Sequence, residues 1–226
     1  MINLDAFREH CVINTDDGSF TLHLPQLGEH YHSDKGAISE SKHVYIATGL
    51  LACTKKEIHV LEMGFGTGLN ALLTALETDN SDHTIHYTTL EKYPLSAEIL
   101  SNLNYTKQLE GNAAQYWKAI HEARWNVKTA ITPQFNFLKL DCDIQDFEPV
   151  NPFDVIYYDA FAPSVQPELW SEERFKNLYQ WTNSEGILTT YCAKGDVRRA
   201  LIAAGFNIER LAGPENGKRE ILRARK

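Results

Sequence analysis

Three glycines at alternate positions, Gly64, Gly66 and Gly68, follow an apolar run at 58–63 and precede Leu69, Leu72, Leu73 and Leu76 at helical spacing. A short β-branched and aliphatic run, then glycines, then apolar residues three and four apart spell a strand, a tight turn and a helix packed back on the sheet. No other stretch constrains the fold as much. A strand that leads straight into a helix calls for a parallel neighbour, and repetition of that unit builds an α/β sheet.

The repetition is there. Residues 84–90 read as a second strand, and Pro94, suited to a first helical turn, opens a helix carrying Leu95, Ile99, Leu100 and Leu103. Residues 113–125 read as another helix, and residues 127–140, broken at Thr132-Pro133, as a hairpin whose second arm is a core strand. Residues 154–158 form a buried strand ending at Asp159, and residues 186–192 a further one. Asp196 then caps a helix bearing Val197, Ala200, Leu201 and Ala204 that stops at Gly205. The last two strands, 206–211 and 219–225, are joined by a short loop and so must run antiparallel.

Before residue 56 the texture differs. Polar and apolar residues alternate around Asp17-Gly18 and Asp34-Lys35-Gly36, which gives a small strand-rich extension followed by a helix over 39–52. No repeat or low-complexity linker divides the chain, so residues 1–55 are expected to be an extension of one domain at 56–226 rather than to fold alone.

At 226 residues and 43% hydrophobic content the chain can bury one good core. It has no apolar run of about 18 residues and no basic-then-apolar start, so the expected location is the cytoplasm, with no membrane partner. Cys11, Cys53, Cys142 and Cys192 are scattered, and free thiols are expected. His30, His32 and His43 lack further ligands at suitable spacing, so no metal is expected. A net charge of −8 argues against broad coating of nucleic acid, but it hides an asymmetry. Residues 194–226 hold nine of the 22 Lys and Arg but only four of the 30 Asp and Glu. That basic end is either a solvated surface or a docking one.

In doubly wound sheets a ligand lies beyond the carboxyl ends of the strands, where the first glycine turn allows close approach. Glu91, 23 residues after Gly68 at the end of the second strand, is placed to accept hydrogen bonds from ribose hydroxyls. A tight turn beside a surface glutamate is the plain alternative. The turn reads G-F-G-T-G after Glu62, not G-x-G-x-x-G, and a carboxylate beside it would repel a pyrophosphate. The ammonium and sulfonium of S-adenosylmethionine suit Glu62 better, with Asn70 at the helix start as a further contact. Asp143 follows a strand and is placed to reach the adenine amino group, with Asp141 and Asp146 as rivals. Asp159 projects beside the cofactor's methyl group, where a carboxylate can orient a neutral amine and receive its proton. Phe161 and Pro163 shape a stiff wall there; an N-cap or ion-pair role is the alternative for Asp159.

The blocks "LEMGFGTGLNALLTA", "LEKYPL", "YYDAFAPSVQPELW", "AKGDVRRALIAAGF" and "GKREIL" resemble, in that order, the methyltransferase domain of the bifunctional tRNA modification protein MnmC and its stand-alone counterparts. The resemblance runs from about Leu24 to Leu222. It implies a Rossmann-like class I S-adenosylmethionine-dependent methyltransferase, with a seven-stranded mostly parallel sheet and an antiparallel final strand. The implied reaction is N-methylation of the aminomethyl group on the tRNA wobble uridine, giving 5-methylaminomethyl-2-thiouridine. Gly64, Gly66, Gly68, Glu91 and Asp143 then match cofactor positions, and Asp159 the acid beside the amine. The bifunctional proteins carry "DGFAP" where this chain has Ala160, so a slightly less free backbone is expected there. With no room seen for an FAD-dependent oxidase domain, a separate enzyme is expected to supply the aminomethyl group.

"LGEHYHSDKGAISESKHVYI" also resembles the family's region before the fold, which makes Tyr31, Ser33 and Glu40 expected contacts over the cleft. Arg198, Arg199, Lys218 and Arg219 are expected to hold tRNA phosphates while an unpaired anticodon base enters the cleft. A transferase acting on a small free amine, and a non-catalytic cofactor- or tRNA-binding module, are the alternatives.

Overall fold

The computed structural model describes residues 9–79 and 81–226, so the first eight residues of the expected extension lie outside the described residues. Three short strands, β1 (Cys11–Asn14), β2 (Phe20–Leu24) and β3 (Glu29–His30), form an antiparallel sheet in that order. Its first turn closes on Asp17, whose carboxylate accepts from Thr15, Ser19 and Ser39. Burial pushes that acid up, but these bonds win and hold it at about 2.

The single helix expected over 39–52 is three pieces: α1 (Ala37–Ser41), a wider π turn at Lys42–Ala47 and a 3-10 turn at Leu50–Ala52. The cause is a captured carbonyl. Thr48 Oγ1 and Thr189 Oγ1 both donate to the Val44 oxygen, at 2.7 and 2.8 Å, while Thr48 N reaches back five residues to His43 O at 3.2 Å. Hydroxyls that compete for a helix carbonyl push the ladder off the α spacing.

The main sheet follows. Its elements are β4 (Glu57–Met63), α2 (Leu69–Thr78), β5 (Thr84–Glu91), α3 (Ala97–Leu100), α4 (Tyr105–Gln108), α5 (Ala113–Glu122), β6 (Thr129–Thr132), β7 (Phe135–Asp141), β8 (Phe153–Tyr158), α6 (Glu172–Trp181), β9 (Thr182–Thr190), α7 (Gly195–Ala204), β10 (Asn207–Ala212) and β11 (Glu220–Arg225). The strand order is β10-β11-β9-β8-β4-β5-β7-β6. From β9 through β8, β4 and β5 to β7 every pairing is parallel. The final strand β11 is antiparallel to both neighbours, as expected. The first arm of the expected hairpin, β6, adds an eighth strand antiparallel to β7 at the edge. Strand order reverses between β4 and β8, which places the crevice beyond their carboxyl ends.

Some helix starts differ from the sequence reading. Pro94 does not open a helix: Ser96 is the cap of α3, its Oγ accepting from Ile99 N, and the helix is only four residues long. Lys194, not Asp196, precedes α7, and Asp196 sits in its first turn paired with Arg199. Helix α6 has no counterpart in the expected elements. It buries only Phe175 and Leu178, too narrow a stripe to stand out, and its start is set by Ser171 Oγ accepting from Arg174 N.

One face of the sheet packs against α2 and α5 through residues such as Leu72, Ile120, Tyr87 and Phe137. The other packs against α6 and α7 through Ile156, Phe175, Leu178 and Leu201. Strand β8 is buried at every residue, as a central strand covered on both faces must be. Strands β5 and β7 alternate instead: Ile85, Tyr87, Phe135 and Phe137 are buried, while His86, Thr88, Asn136 and Leu138 are half-exposed. All four cysteines are free thiols. Among the described residues no helix is long and apolar enough to cross a membrane.

Candidate active site

A cleft of about 1150 Å³ opens where β4, β5 and β8 end. Gly64, Gly66 and Gly68 all have left-handed backbone, with φ of 87°, 49° and 79°. The turn is pinned by Gly64 N and Phe65 N, which donate to Leu90 O at 3.0 and 3.1 Å. A Cβ on Gly64 would stand 3.0 Å from the Asp159 carbonyl oxygen, and one on Gly66 3.0 Å from the Tyr31 ring. Both therefore meet the requirement for close backbone approach. Gly68 is the cap residue of α2, packed on Phe65 and His121 outside the lining of the cleft.

Glu91 lines the cleft and accepts from Gly66 N at 2.9 Å and Tyr93 N at 2.7 Å, one bond on each oxygen. A carboxylate oxygen has two lone pairs, so each keeps one for a hydroxyl. Burial raises its pKa, which those amide bonds partly offset. Of the rival acids after β7, only Asp143 lines the cleft. It caps the short 3-10 turn through Gln145 N and pairs with Lys92 at 2.6 Å. Burial pushes Asp143 up, but these partners hold its pKa below the usual carboxylate range.

Asp159 stands at the centre. Tyr45 OH donates to Oδ1 at 2.5 Å and Asn70 Nδ2 to Oδ2 at 2.8 Å. Burial pushes the acid up to about 7, with Glu40 adding to the rise and the Tyr45 and Asn70 bonds opposing it. The loop after it is tied down by its carbonyls. Tyr191 OH donates to Ala160 O at 2.9 Å and Trp170 Nε1 to Phe161 O at 2.8 Å, while Tyr158 OH bonds Leu169 O. Ala160 does not have positive φ, so the alanine in place of glycine is accommodated without backbone strain.

Glu62 is fully buried behind this constellation, beside Asn70, Tyr87 and Thr89, and is not part of the cleft lining. Neither of its oxygens reaches a partner in full hydrogen-bond geometry among the described residues, although Thr89, Tyr87 and Asn70 stand close enough to oppose the effect of burial. Burial raises its pKa to about 8, with the Asp159 charge adding to the rise, so at neutral pH it is mostly a neutral acid.

The extension supplies the roof. Tyr31 meets Phe161 edge to face, with ring centroids 5.2 Å apart, and both line the cleft. Glu40, buried, accepts from Ser33 N at 2.8 Å and from Lys218 Nζ at 3.1 Å. Lys218 also lies 4.0 Å from the Tyr191 ring centroid. Pro163, Arg198, Arg199 and Arg219 are not in the lining. Much of the basic end is neutralised: Arg199 pairs with Asp196, Arg210 with Glu220, and Arg223 and Arg225 with Glu209. Among the described residues Arg198 and Arg219 form no ion pair. His30, His32 and His43 do not converge: His30 meets His23 at a tilt, His32 bonds Thr67, and His43 bonds Ala212 O.

Sequence reasoning missed Tyr45 and Tyr191. Tyr45 sits in a run that reads as ordinary helix, and only the π turn aims it at Asp159. The single available signal was a tyrosine inside the "SKHVYI" block.

The family model described as S-adenosyl-L-methionine-dependent methyltransferase matches residues 96–226. The tRNA 5-methylaminomethyl-2-thiouridine biosynthesis bifunctional protein MnmC of Aromatoleum aromaticum is 32% identical over 231 residues, spanning 93% of this chain and 34% of that protein. The chain thus spans about a third of the length of the curated relatives it matches. Among solved structures, MNMC2 from Aquifex aeolicus superposes with a TM-score of 0.74 at 24% identity, covering 96% of this chain and 70% of that one. Spermidine synthase from Thermotoga maritima shares the fold, with a TM-score of 0.55 at 14% identity over 96% of this chain and 69% of that one.

Proposed function

The chain belongs to the S-adenosyl-L-methionine-dependent methyltransferase family, and on that premise we propose that it methylates the aminomethyl group of a wobble uridine in tRNA. The observation that carries this reading is Asp159, a carboxylate titrating at about 7, held from two sides at the lip of the glycine turn.

The residues present fit the cofactor. A Cβ at Gly64 or Gly66 would fill the cradle, and Glu91 keeps an acceptor lone pair on each oxygen for a ribose diol. Gly64, Gly66, Glu91 and Asp143 would hold it, with Glu62 and Gly68 backing the turn and Asn70 serving the acid. Bound there, S-adenosylmethionine supplies a methyl group made electrophilic by its sulfonium.

The chain's own residues then handle the amine. Tyr45 and Asn70 fix the plane of the Asp159 carboxylate and leave one lone pair on each oxygen for the incoming nitrogen. Asp159 orients the neutral amine and takes the proton it sheds as the new N–C bond forms. A pKa near the working pH serves both parts of that task. Tyr31 and Phe161 offer faces and edges for an unstacked base, and Ser33 and Glu40 shape the walls around it. Lys218 at the cleft, with Arg198, Arg199 and Arg219 further out, would hold tRNA phosphates around the anticodon loop. An enzyme that installs the aminomethyl group must act before this one.

The test is transfer of labelled methyl to bulk tRNA lacking the final methyl group, followed by nucleoside analysis. Wild type is expected to give methylaminomethyl uridine, and Asp159→Asn to be slower by about 100-fold or more. Transfer to free polyamines with none to tRNA would overturn the substrate. Cofactor binding with no transfer to either would leave a binding module.

A further inference from the structure

At the other end of the sheet, away from the cleft, three side chains on the half-open face converge. Glu57 and His59 lie two residues apart on β4 and so point to the same side, and His86 on β5 is the register partner of His59. One donor atom from each of the three lies within 4.8 Å of the others. The imidazoles stack with centroids 4.6 Å apart and planes 17° from parallel, and His86 Nε2 is 2.8 Å from Glu57 Oε1.

We propose that Glu57, His59 and His86 form a binding site for a divalent transition metal of the zinc class. Two imidazoles and one carboxylate with open positions are a donor set that such ions take, at about 2.0–2.2 Å per bond. Donors around one ion stand about 3–3.5 Å apart at those bond lengths, so contraction by about an ångström completes the set. Glu57 is exposed and would exchange its bond to His86 for the ion, and the two imidazoles would tilt out of their near-parallel stack so that both ring planes meet at it.

Other observations single this cluster out. The His59 backbone N–H is committed to Asp154 at 2.9 Å, yet neither ring nitrogen has a hydrogen-bond partner among the described residues. Of the adjacent cations, Lys55 pairs with Asp154 and Lys56 with Asp82, both at 2.6 Å, while Lys128 forms no ion pair among the described residues. Two of the ligands are on one strand and the third, 27 residues on, is on its neighbour, so sequence spacing alone does not announce the set. A metal here would tie the amino-terminal ends of the neighbouring strands β4 and β5 together, far from the chemistry.

The experiment is calorimetric titration of the untagged chain with zinc chloride, with melting temperature followed in parallel. The expected result is saturable binding of one zinc per chain and a rise in melting temperature with zinc, since a ligand of the folded state alone stabilises it. His59→Ala and His86→Ala should each lose both effects. His83→Ala, near the cluster in sequence, and His23→Ala, in the tilted pair with His30, should keep them. Retained S-adenosylmethionine binding reports that each variant is folded. No saturable binding by wild type overturns the proposal, as does binding that survives the double change at His59 and His86 or that disappears with His23.

Discussion

A carboxyl that titrates at about 7 is useful only if something holds it there, and for Asp159 the holders are Tyr45 and Asn70. A hydrogen bond to a charged group contributes about 1.5–3 kcal/mol, equivalent to roughly one to two pH units. Tyr45→Phe should therefore move the acidic limb of the pH–rate profile to higher pH by about that much and lower the rate at neutral pH, as kcat/KM against pH would show. Glu62 makes a separate prediction. Its folded pKa of about 8 lies above the ordinary 4.5, so the folded chain holds a proton that the unfolded chain releases. The resulting stabilisation is full below about 4.5 and is lost as pH rises to about 8. Glu62→Gln should remove that slope, so its melting temperature gains on wild type as pH rises through this range. The glycines, Glu91 and Asp159 were legible in the sequence because each stands at or just past the carboxyl end of a strand. Tyr45 was not, because nothing local ties it to an acid 114 residues away.

Among the elements, the π turn at Lys42–Ala47 sets the geometry of the acid. Gly49 lets it pack: a Cβ there would come within 2.5 Å of the Tyr45 carbonyl oxygen and 2.9 Å of Thr189 Cγ2. Gly49→Ala should destabilise the chain by about 1–3 kcal/mol through overpacking, read by denaturant unfolding, and should displace Tyr45 enough to slow methyl transfer. Strands β4, β5, β8 and β11 were readable because their apolar runs are short and bounded by glycine, acid or loop. The wider turn was not readable, because its cause is a hydroxyl from β9, Thr189, that arrives only when the chain has folded. Helix α6 was hidden for the opposite reason, since it covers the sheet with only two fully buried side chains.

For the molecule as a whole, the proposed function requires an acidic chain with a basic end to dock tRNA through a few cationic side chains. Affinity should fall steeply with salt, and Arg198→Glu combined with Arg219→Glu should flatten the plot of log affinity against log salt by about one for each phosphate no longer neutralised. Titration of tRNA at several salt concentrations measures that slope, and an unchanged slope would remove both arginines from the interface. The α/β order and the antiparallel final pair were legible because connection length dictates strand direction. Tyr31, Ser33 and Glu40 were expected over the cleft and line it, but the Glu40–Lys218 ion pair that closes the roof was not legible, since it joins residues 178 apart in the chain. Pairings of such sequence separation are costly to close before the rest of the chain is in place. The sheet can therefore assemble first and the roof last, so that during refolding native secondary structure would return ahead of enzymatic competence.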